Sequence, residues 1–336
     1  MSPDRDHSRM LRAVELAAAV RGTTSPNPWV GCVIVTAAGE EFEGATHPPG
    51  GPHAEAAALA AAAAAGADLH GATAYVTLEP CSHHGRTPPC ADALVAAGVS
   101  RVVVGLADPD PDPQVAGQGL ARLRDAGVEV EVGVAAAAVT EQLAPYLTHR
   151  RTGRPYVVLK LAASLDGRTA ATDGTSRWIT GEAARADAHR LRAESDAVLV
   201  GAGTVRADDP ALTVRHGEGR DPLRVVLGKA PPEARVHPCL EMTGELGPIL
   251  DDLGARGVLQ LLIEGGATVA GAFHRAGLVD AYVLYLAPAL FGGDDAPGLF
   301  SGAGAATMAD VWRGRITRVT RVGDDIRVDL RPARST

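Results

Sequence analysis

The sequence alternates short apolar runs with helical segments, and this alternation constrains the fold more than any other feature. In the first half, Gly31–Val35, Ala74–Pro80 and Arg101–Gly105 are apolar runs bounded by Gly, Pro, Asn or Ser. Such runs are typical of buried strands, and the alanine-rich segment after His53 is typical of a helix that ends at Gly66. Strands that alternate with helices predict an α/β fold with a largely parallel sheet.

The same signals predict the other elements of the first half. Leu11, Val14 and Ala18 recur at helical spacing, and Pro89 favours a helix start that continues to Gly98. Further elements are expected as a helix over Val115–Gly127, a strand over Val128–Val134 and a helix through Leu143 and Leu147.

A basic segment with Gly and Pro, His149–Pro155, precedes a second round of the pattern. We place a domain boundary there, with one domain over residues 1–150 and another over residues 151–336. A length of 336 residues agrees with two domains, since a domain has roughly 150. The second round predicts strands at Tyr156–Ala162, Ala197–Val200, Leu223–Leu227, Leu259–Ile263 and Ala281–Leu286, and helices at Glu182–Ala193 and Thr268–Ala276.

Charge and hydropathy exclude several classes of partner. The chain has 32 Lys and Arg against 40 Asp and Glu, a net charge of −8, so it repels polyanions and we expect no nucleic-acid partner. No apolar run reaches the roughly 18 residues that span a bilayer. The N-terminal sequence MSPDRDH has the wrong charge order for a signal peptide. We therefore expect no membrane partner and a cytoplasmic location.

His53, Cys81 and Cys90 are residue types that zinc prefers, and three protein ligands leave a fourth position for water. Glu55 follows His53 by two residues and is not needed as a ligand. In zinc-dependent base deaminases, His-x-Glu followed by two cysteines combines a metal that activates water with a Glu that moves protons. The pattern therefore predicts a zinc deaminase site in which Glu55 is catalytic.

A structural site with His83 or His84 as fourth zinc ligand remains an alternative from spacing alone. Glu55 argues against it, because a carboxylate beside a ligand at a helix start has a catalytic use and no structural one. The two other cysteines, Cys32 and Cys239, are interpreted as core thiols.

Four segments of the first half resemble the bifunctional riboflavin-biosynthesis deaminase/reductase family. They are SPNPWVGCVIV (Ser25–Val35), HAE (His53–Glu55), TLEPCSHHGRTPPC (Thr77–Cys90) and DPQVAG (Asp112–Gly117). The resemblance implies a cytidine-deaminase-like three-layer domain that hydrolytically deaminates 2,5-diamino-6-ribosylamino-4(3H)-pyrimidinone 5′-phosphate, a small pyrimidine ribotide.

The resemblance also assigns residues of this first site. It implies that His53, Cys81 and Cys90 bind Zn²⁺ and that Glu55 is the proton shuttle. It places Asn27 at the pyrimidine, and His83 and Arg86 at the ribose phosphate. Asp112 stands where the family usually has Asn, and Gln118 stands where Arg is usual, so substrate contacts from that loop are not carried over.

The second half carries a weaker nucleotide signal. The sequence after Ile263 has paired glycines, Gly265 and Gly266, that open a helix and let backbone N–H groups approach a pyrophosphate. A plain tight turn remains an alternative. Gly201 and Gly203 lack a third glycine at the Rossmann spacing, which disfavours that fold.

Four segments of the second half extend the resemblance to the reductase, whose fold is similar to dihydrofolate reductase. They are KLAASLDGRTA (Lys160–Ala170), SRWIT (Ser176–Thr180), GAGTVRADDPALTVR (Gly201–Arg215) and LIEGGATVAGAF (Leu262–Phe273). The resemblance implies NADPH-dependent reduction of the ribosyl group to ribityl, giving 5-amino-6-(5-phosphoribitylamino)uracil. It also implies a homo-oligomer, either a dimer or a tetramer. The resemblance does not extend to the tail beyond Gly302, which carries no motif.

The residues that this resemblance assigns to the NADPH site are Ala162, Trp178, Thr204, Asp208, Gly266, Ala267, Thr268, Val269, Ala270, Gly271 and Ala272. Those that it assigns to the substrate are Lys160, Ser176, Arg192, Leu212, Arg215 and Glu264. Arg192 and Arg215 suit a phosphate, because guanidinium groups bind it through two N–H groups at once. Lys229 is a hypothetical partner of the cofactor 2′-phosphate, and an exposed loop lysine without a role is the alternative.

Overall fold

The structure, a computed structural model, describes residues 3–82, 89–110, 116–215 and 219–333. His83, His84, Arg86 and Asp112 lie outside the described residues. The chain divides into two compact units, one ending at Gly153 and the other beginning at Arg154. Among the residues described, no helix is both long and apolar enough to cross a bilayer.

The first unit contains a five-stranded sheet in the order β2-β1-β3-β4-β5. Its elements are α1 (Pro3–Ala19), β1 (Gly31–Val35), β2 (Glu41–Ala45), α2 (Ala54–Ala64), β3 (Thr73–Leu78), α3 (Cys90–Ala96), β4 (Arg101–Leu106), α4 (Gln118–Asp125), β5 (Glu129–Val132), α5 (Ala136–Gln142) and α6 (Ala144–Thr152). Strands β3, β4 and β5 are parallel, whereas β1 is antiparallel to both β2 and β3. The sheet is therefore mixed, not largely parallel.

Two glycines show how helices cover both faces of this sheet. A Cβ atom at Gly31 would lie 1.9 Å from the Ala13 carbonyl oxygen of α1, and one at Gly44 would lie 2.2 Å from the Ala54 carbonyl oxygen of α2. Cys32 pairs with Gly44 across the strands, and successive residues of a strand point to opposite faces. Helices α1 and α2 therefore pack on opposite faces, which gives the predicted three layers.

The second unit contains an eight-stranded sheet in the order β12-β13-β11-β6-β10-β7-β8-β9. Its elements are β6 (Tyr156–Ser164), α7 (Glu182–Ala193), β7 (Ala197–Gly201), α8 (Ala202–Asp208), β8 (Leu223–Leu227), β9 (Leu240–Met242), α9 (Leu246–Ala255), β10 (Gln260–Ile263), α10 (Ala267–Arg275), β11 (Ala281–Ala287), β12 (Gly314–Val322) and β13 (Asp325–Pro332). Six strands are parallel, and the final hairpin is antiparallel. The core lies where α9 and α10 pack on the parallel strands, around Leu253 and Phe273.

Several elements differ from the sequence prediction. Strand β2 was not predicted because its sequence, EFEGA, has two charged residues and a glycine, and only Gly44 is buried. The same reason applies to the hairpin of β12 and β13, whose first strand alternates charged and apolar residues that mostly face solvent. The helix expected through Leu143 and Leu147 is two helices. The second continues into the basic segment where we placed the domain boundary, and it ends before Gly153, which has φ 71°.

Candidate active sites

Three ligand-type side chains converge at one edge of the first sheet. His53 precedes α2, Cys81 follows β3, and Cys90 begins α3. The Nδ1 atom of His53 lies 3.6 Å from Sγ of Cys81 and 3.5 Å from Sγ of Cys90. The three potential ligand atoms all lie within 4.8 Å of one another.

The electrostatics of this cluster favour a bound cation. A hydrogen bond from the Cys90 thiol lowers the pKa of Cys81 to about 4, although burial opposes the shift. The same bond, together with burial, raises the pKa of Cys90. Two thiolates at this distance would repel each other, and a cation between them would stabilise both. One imidazole and two thiolates at this spacing fit Zn²⁺.

Glu55 lies in the first turn of α2 and is only 3% exposed. Burial raises the pKa of its carboxyl to about 7. A carboxyl with this pKa can accept and release a proton near neutral pH. Asn27 is half-buried in the turn before β1, and its backbone N–H donates to the Thr24 carbonyl oxygen over 2.9 Å.

The two other cysteines differ from each other. Cys32 is fully buried in β1, as expected of a core thiol. Cys239 is half-buried, and its Sγ lies 3.5 Å from Nδ1 of His237. The interpretation of Cys239 as a core thiol is therefore wrong, because Cys239 follows the exposed residues His237 and Pro238 in a surface segment before β9.

The second unit contains a cavity of about 770 Å³, within the range of small-molecule sites. The expected NADPH residues that border it are Ala162, Trp178, Thr204, Asp208, Gly266, Ala267, Thr268 and Val269. One wall is the N-terminus of α10, where the Gly266 N–H lies 3.3 Å from Oγ1 of Thr204. Backbone amides at a helix start favour a pyrophosphate, so this cavity fits a dinucleotide.

The expected glycine-rich segment borders the cavity only as far as Val269. Ala270 is fully buried in the core cluster, and Ala272 does not border the cavity. A Cβ atom at Gly271 would lie 2.2 Å from the Ser301 carbonyl oxygen, so that glycine serves packing. The segment is a helix start, and its later residues turn away from the cavity.

A smaller cavity, of about 430 Å³, contains most of the expected substrate residues. It is bordered by Lys160, Arg192, Arg215 and Glu264, whereas Ser176 borders the larger cavity. Leu212 is buried and borders neither cavity. The two cavities adjoin, because Lys160, Trp178, Thr180, Arg185 and Glu264 border both.

A buried ion pair lies in the smaller cavity. Nε of Arg192 donates to Glu264 over 2.8 Å, and a second nitrogen donates to the other carboxylate oxygen over 2.9 Å. The remaining terminal nitrogen donates to the Thr213 carbonyl oxygen over 2.7 Å. Because most of its N–H groups are used within the protein, Arg192 is poorly placed to bind a phosphate through two of them. Although burial opposes it, Arg192 holds the pKa of Glu264 below its usual value.

Three residues of this cavity, Arg185, His189 and Tyr285, were not singled out from the sequence. The helical period could have identified two of them, because Arg185, His189 and Arg192 are spaced to lie on one face of α7. Tyr285 carried no comparable signal, since an aromatic residue in an apolar strand is usually core.

Lys229 pairs with Glu241, and its Nζ lies 2.9 Å from a carboxylate oxygen. Its side chain is 84% exposed and does not border the larger cavity. These observations favour the alternative that Lys229 is an exposed loop lysine without a role. A contact between Lys229 and the cofactor 2′-phosphate stays a hypothesis.

Replacing Arg192 by Met is expected to lower the free energy of unfolding by about 3–5 kcal/mol, because Glu264 would remain as a buried charge without a partner. Urea denaturation measures this loss. Arg190→Met is the matched control, since Arg190 is more than half exposed and its ion pairs contribute about 1 kcal/mol or less. Equal losses in the two variants would contradict the importance of the buried pair.

Comparisons with known proteins cover both units. Residues 3–106 match the cytidine and deoxycytidylate deaminase zinc-binding region, and residues 155–328 match the RibD C-terminal domain. The riboflavin biosynthesis protein RibD of Escherichia coli is 42% identical over an alignment of 370 positions that covers 97% of this chain and 99% of that protein. RibD of Mycobacterium tuberculosis is 45% identical over an alignment of 335 positions that covers 95% of each chain.

Solved structures agree with these matches. Acinetobacter baumannii RibD has a TM-score of 0.90 and 40% identity, covering 99% of this chain and 100% of that one. A diaminohydroxyphosphoribosylaminopyrimidine deaminase/5-amino-6-(5-phosphoribosylamino)uracil reductase from Thermotoga maritima has a TM-score of 0.88 and 35% identity, covering 98% and 99%.

The matches span both units and confirm the two activities, the two cofactors and the α/β fold predicted from the sequence. The first is a zinc-dependent hydrolytic deamination, and the second is a reduction that uses NADPH. A deaminase domain and a reductase domain thus occur on one chain, which belongs to the family of bifunctional riboflavin-biosynthesis deaminase/reductases.

Proposed function

We propose that His53, Cys81 and Cys90 bind the zinc ion and that Glu55 moves the protons of the deamination. The substrate is 2,5-diamino-6-ribosylamino-4(3H)-pyrimidinone 5′-phosphate, which loses its 2-amino group. The observation that carries this proposal is the convergence of three ligand atoms within 4.8 Å beside a buried carboxyl. Asn27, His83 and Arg86 stay predictions as substrate contacts.

In this reaction the carboxylate of Glu55 accepts a proton from the attacking water and passes it to the departing nitrogen. Bound zinc supplies the polarisation that makes the water nucleophilic. The products are ammonia and the corresponding pyrimidinedione, so atoms and charge balance. Burial supports this role, because Glu55 is shielded from bulk water and its raised pKa lets it both take and release the proton.

For the reductase we propose that the larger cavity binds NADPH and the smaller one binds the deaminated ribotide. NADPH supplies a hydride, which is added to C1′ of the ribosyl group, and one proton completes the reduction. Lys160 borders both cavities, and burial lowers the pKa of its ammonium group, which makes it a better proton donor. Glu264 also borders both cavities.

We further propose the finer assignment of residues within these cavities. The cofactor contacts Ala162, Trp178, Thr204, Asp208 and Gly266–Val269, which all border the larger cavity. The substrate contacts Lys160, Ser176, Arg215 and Glu264, while Arg192 positions Glu264. Four of the expected residues border neither cavity and support the residues that do. They are Leu212, Ala270, Gly271 and Ala272.

The test is a two-step assay on the purified chain. Ammonia release from the diaminopyrimidine ribotide reports deamination, and loss of NADPH absorbance then reports reduction. We expect both steps with this substrate and no ammonia from cytidine or deoxycytidine. Ammonia from a free nucleoside at a comparable rate would contradict the proposed substrate.

We propose that the two units are separate domains, with the boundary near residue 150. Each has its own sheet and buried core, so each is expected to fold alone. Expressed separately, residues 1–153 should bind zinc and deaminate, and residues 154–336 should reduce the supplied intermediate. Far-ultraviolet circular dichroism and the two assays measure this outcome. An unfolded piece, or loss of both activities, would contradict the proposed boundary.

We also propose, on the family resemblance, that the chain forms a dimer or a tetramer and acts in the cytoplasm. Strand β12 supports self-association, because it is an edge strand of the second sheet and exposes Ile316 and Val319.

A further inference from the structure

Tyr285 borders the smaller cavity, and neither the sequence analysis nor the proposed mechanism assigns it a role. It lies in β11 beside β6, and it is 1% exposed. Tyr285 is opposite Ala162 in the register, and Lys160 comes two residues before Ala162. Because the residues of a strand alternate between the two faces of the sheet, Tyr285 and Lys160 lie on the same face. Tyr285 is therefore a neighbour of the proposed proton donor.

The ammonium group of Lys160 lies over the ring of Tyr285, with Nζ 5.8 Å from the ring centroid. The face of an aromatic ring carries partial negative charge, and it attracts a cation within about 6 Å of the centroid. Burial lowers the pKa of Lys160, whereas the negative charge of Glu264 raises it. The ring therefore acts in the same direction as Glu264 and stabilises the charged form of Lys160.

Most of the other charges around Lys160 act against its ammonium group. Arg192 lowers the pKa of Lys160 through its positive charge. Among the described residues, the charged or titratable groups that border the two cavities, apart from Glu264, Tyr285 and Lys160 itself, are Arg185, His189, Arg192, Arg206, Asp208 and Arg215. Five of these six are cationic or can become so. A neighbour that attracts the ammonium group is thus needed to hold it where the two cavities adjoin.

The ring of Tyr285 is held in place by Asp187 of α7. The phenol O–H donates to one carboxylate oxygen over 2.6 Å, and Arg327 of β13 donates to the same oxygen over 2.7 Å. Arg190 donates to the other oxygen over 2.7 Å. Because Asp187 is itself fixed by two guanidinium groups, it fixes the hydroxyl end of the ring and keeps the ring beside Lys160.

The final hairpin contributes to this arrangement at two places. Arg327 lies opposite Tyr285 in the register of β13 and β11, and its guanidinium carbon is 6.0 Å from the ring centroid. Asp325, which is 2% exposed, accepts from the Gly181 N–H before the start of α7 over 2.7 Å. Strand β13 therefore holds both α7 and the ring, although it belongs to the tail that carries no motif.

We propose that Tyr285 is a positioning residue for the reduction, whose ring holds the ammonium group of Lys160 where the two cavities adjoin. The inference rests on the proposed proton transfer from Lys160. Tyr285 itself transfers no proton, because its O–H is donated to Asp187. It is a neutral group that stabilises and orients a charged one.

The test replaces Tyr285 by Leu, which removes the ring, and by Phe, which keeps it. Without the ring, the pKa of Lys160 falls further, so the proton donor is lost at a lower pH. In Tyr285→Leu, the alkaline limb of kcat for reduction should move down by about 0.5–1.5 pH units, the equivalent of a cation–π contact. The maximal kcat should fall about ten-fold, because the donor is no longer held in place.

Tyr285→Phe separates the ring from its hydroxyl. Its alkaline limb should stay within about 0.3 pH units of the parent, because the cation–π contact remains. This result would also show that the limb does not report the phenol of Tyr285, whose own pKa is raised by burial and by Asp187. A limb in Tyr285→Phe that moves as far as in Tyr285→Leu would contradict the role of the ring.

Tyr282→Leu is the matched control, because Tyr282 is a buried tyrosine of the same strand and is not among the residues that border either cavity. It should leave kcat and the alkaline limb unchanged. The KM for NADPH should be the same in all variants, since Tyr285 borders the smaller cavity and not the larger one. Equal effects of Tyr282→Leu and Tyr285→Leu would show a general structural role and overturn the inference.

Lys160→Met separates this inference from the proposed function. It should lower kcat for reduction by about 10²- to 10⁴-fold, the range for removal of a general acid. Adding Tyr285→Leu to it should change kcat by less than about two-fold, because Tyr285 acts through Lys160. A parental kcat in Lys160→Met would contradict the proposed proton donor and this inference together. A loss in Lys160→Met with a parental limb in Tyr285→Leu would overturn the inference alone.

A further variant keeps the inference testable if Tyr285→Leu does not fold. Replacing Tyr285 by a trifluorinated phenylalanine keeps the shape of Phe and withdraws electrons from the face of the ring. Its alkaline limb should lie at least about 0.5 pH units below that of Tyr285→Phe. Identical limbs in these two variants would overturn the inference, since the variants differ in the charge of the ring face and hardly in shape.

Discussion

Replacing Glu55 by Gln is expected to lower kcat for deamination by about 10²- to 10⁴-fold, the range for removal of a general acid–base group. The amide has nearly the same shape but cannot carry a proton from water to ammonia. Because Glu55 is not one of the three converging ligands, zinc content should stay at that of the parent. Ammonia release and elemental analysis measure the two quantities.

The same chain contains an internal control for Glu55→Gln. Reduction of supplied deaminated intermediate should keep the parent rate, because the reductase cavities lie entirely in the second unit. Glu43→Gln, in strand β2 of the first unit, removes an exposed carboxylate that pairs with Arg12 and should leave deamination intact. A near-parental rate of deamination in Glu55→Gln would show that another residue carries the proton.

Replacing Cys90 by Ser is expected to remove both zinc and deamination. A hydroxyl is a poorer zinc ligand than a thiolate, and loss of a direct ligand should weaken binding by more than the roughly 10- to 100-fold that loss of an outer hydrogen bond costs. Cys81→Ser should behave in the same way, since its Sγ also contacts Nδ1 of His53. Zinc per chain and ammonia release report the result.

Cys239→Ser is the matched control, because Cys239 is a half-buried thiol of the second unit. It should retain zinc and both activities. Retention of full zinc by Cys90→Ser or Cys81→Ser would exclude the proposed ligand set. Loss of zinc in the control would show that thiol substitution acts through general unfolding.

In the first unit, the candidate zinc ligands were easier to predict from the sequence than the strands of the sheet and their directions. His53, Cys81 and Cys90 come from segments with strong local signals, a helix start, a strand end and a proline-led helix. Strand β2 has no such signal, because it is an edge strand whose neighbour β1 supplies the hydrophobic surface. Local pattern therefore identified the three side chains that the structure brings together, but not the antiparallel half of the sheet.

In the second unit, the role of a residue depends on its contacts with residues that are distant in the sequence. Local sequence patterns do not show these contacts. Arg192 is suited to a phosphate by residue type, but its partner Glu264 lies 72 positions away in the sequence. The paired glycines predicted a helix start correctly, yet the pattern could not show that Ala270 turns into the core. Such outcomes depend on packing between distant segments, which propensity and spacing do not contain.

Gly44 belongs to β2, one of the strands that the sequence did not predict. A side chain there would collide with the Ala54 carbonyl oxygen, in the turn that carries His53 and Glu55. A larger residue would displace that turn, and with it the proposed metal ligand His53 and the proposed proton carrier Glu55. Gly44 therefore allows the close approach of α2 to β2 on which the positions of His53 and Glu55 depend.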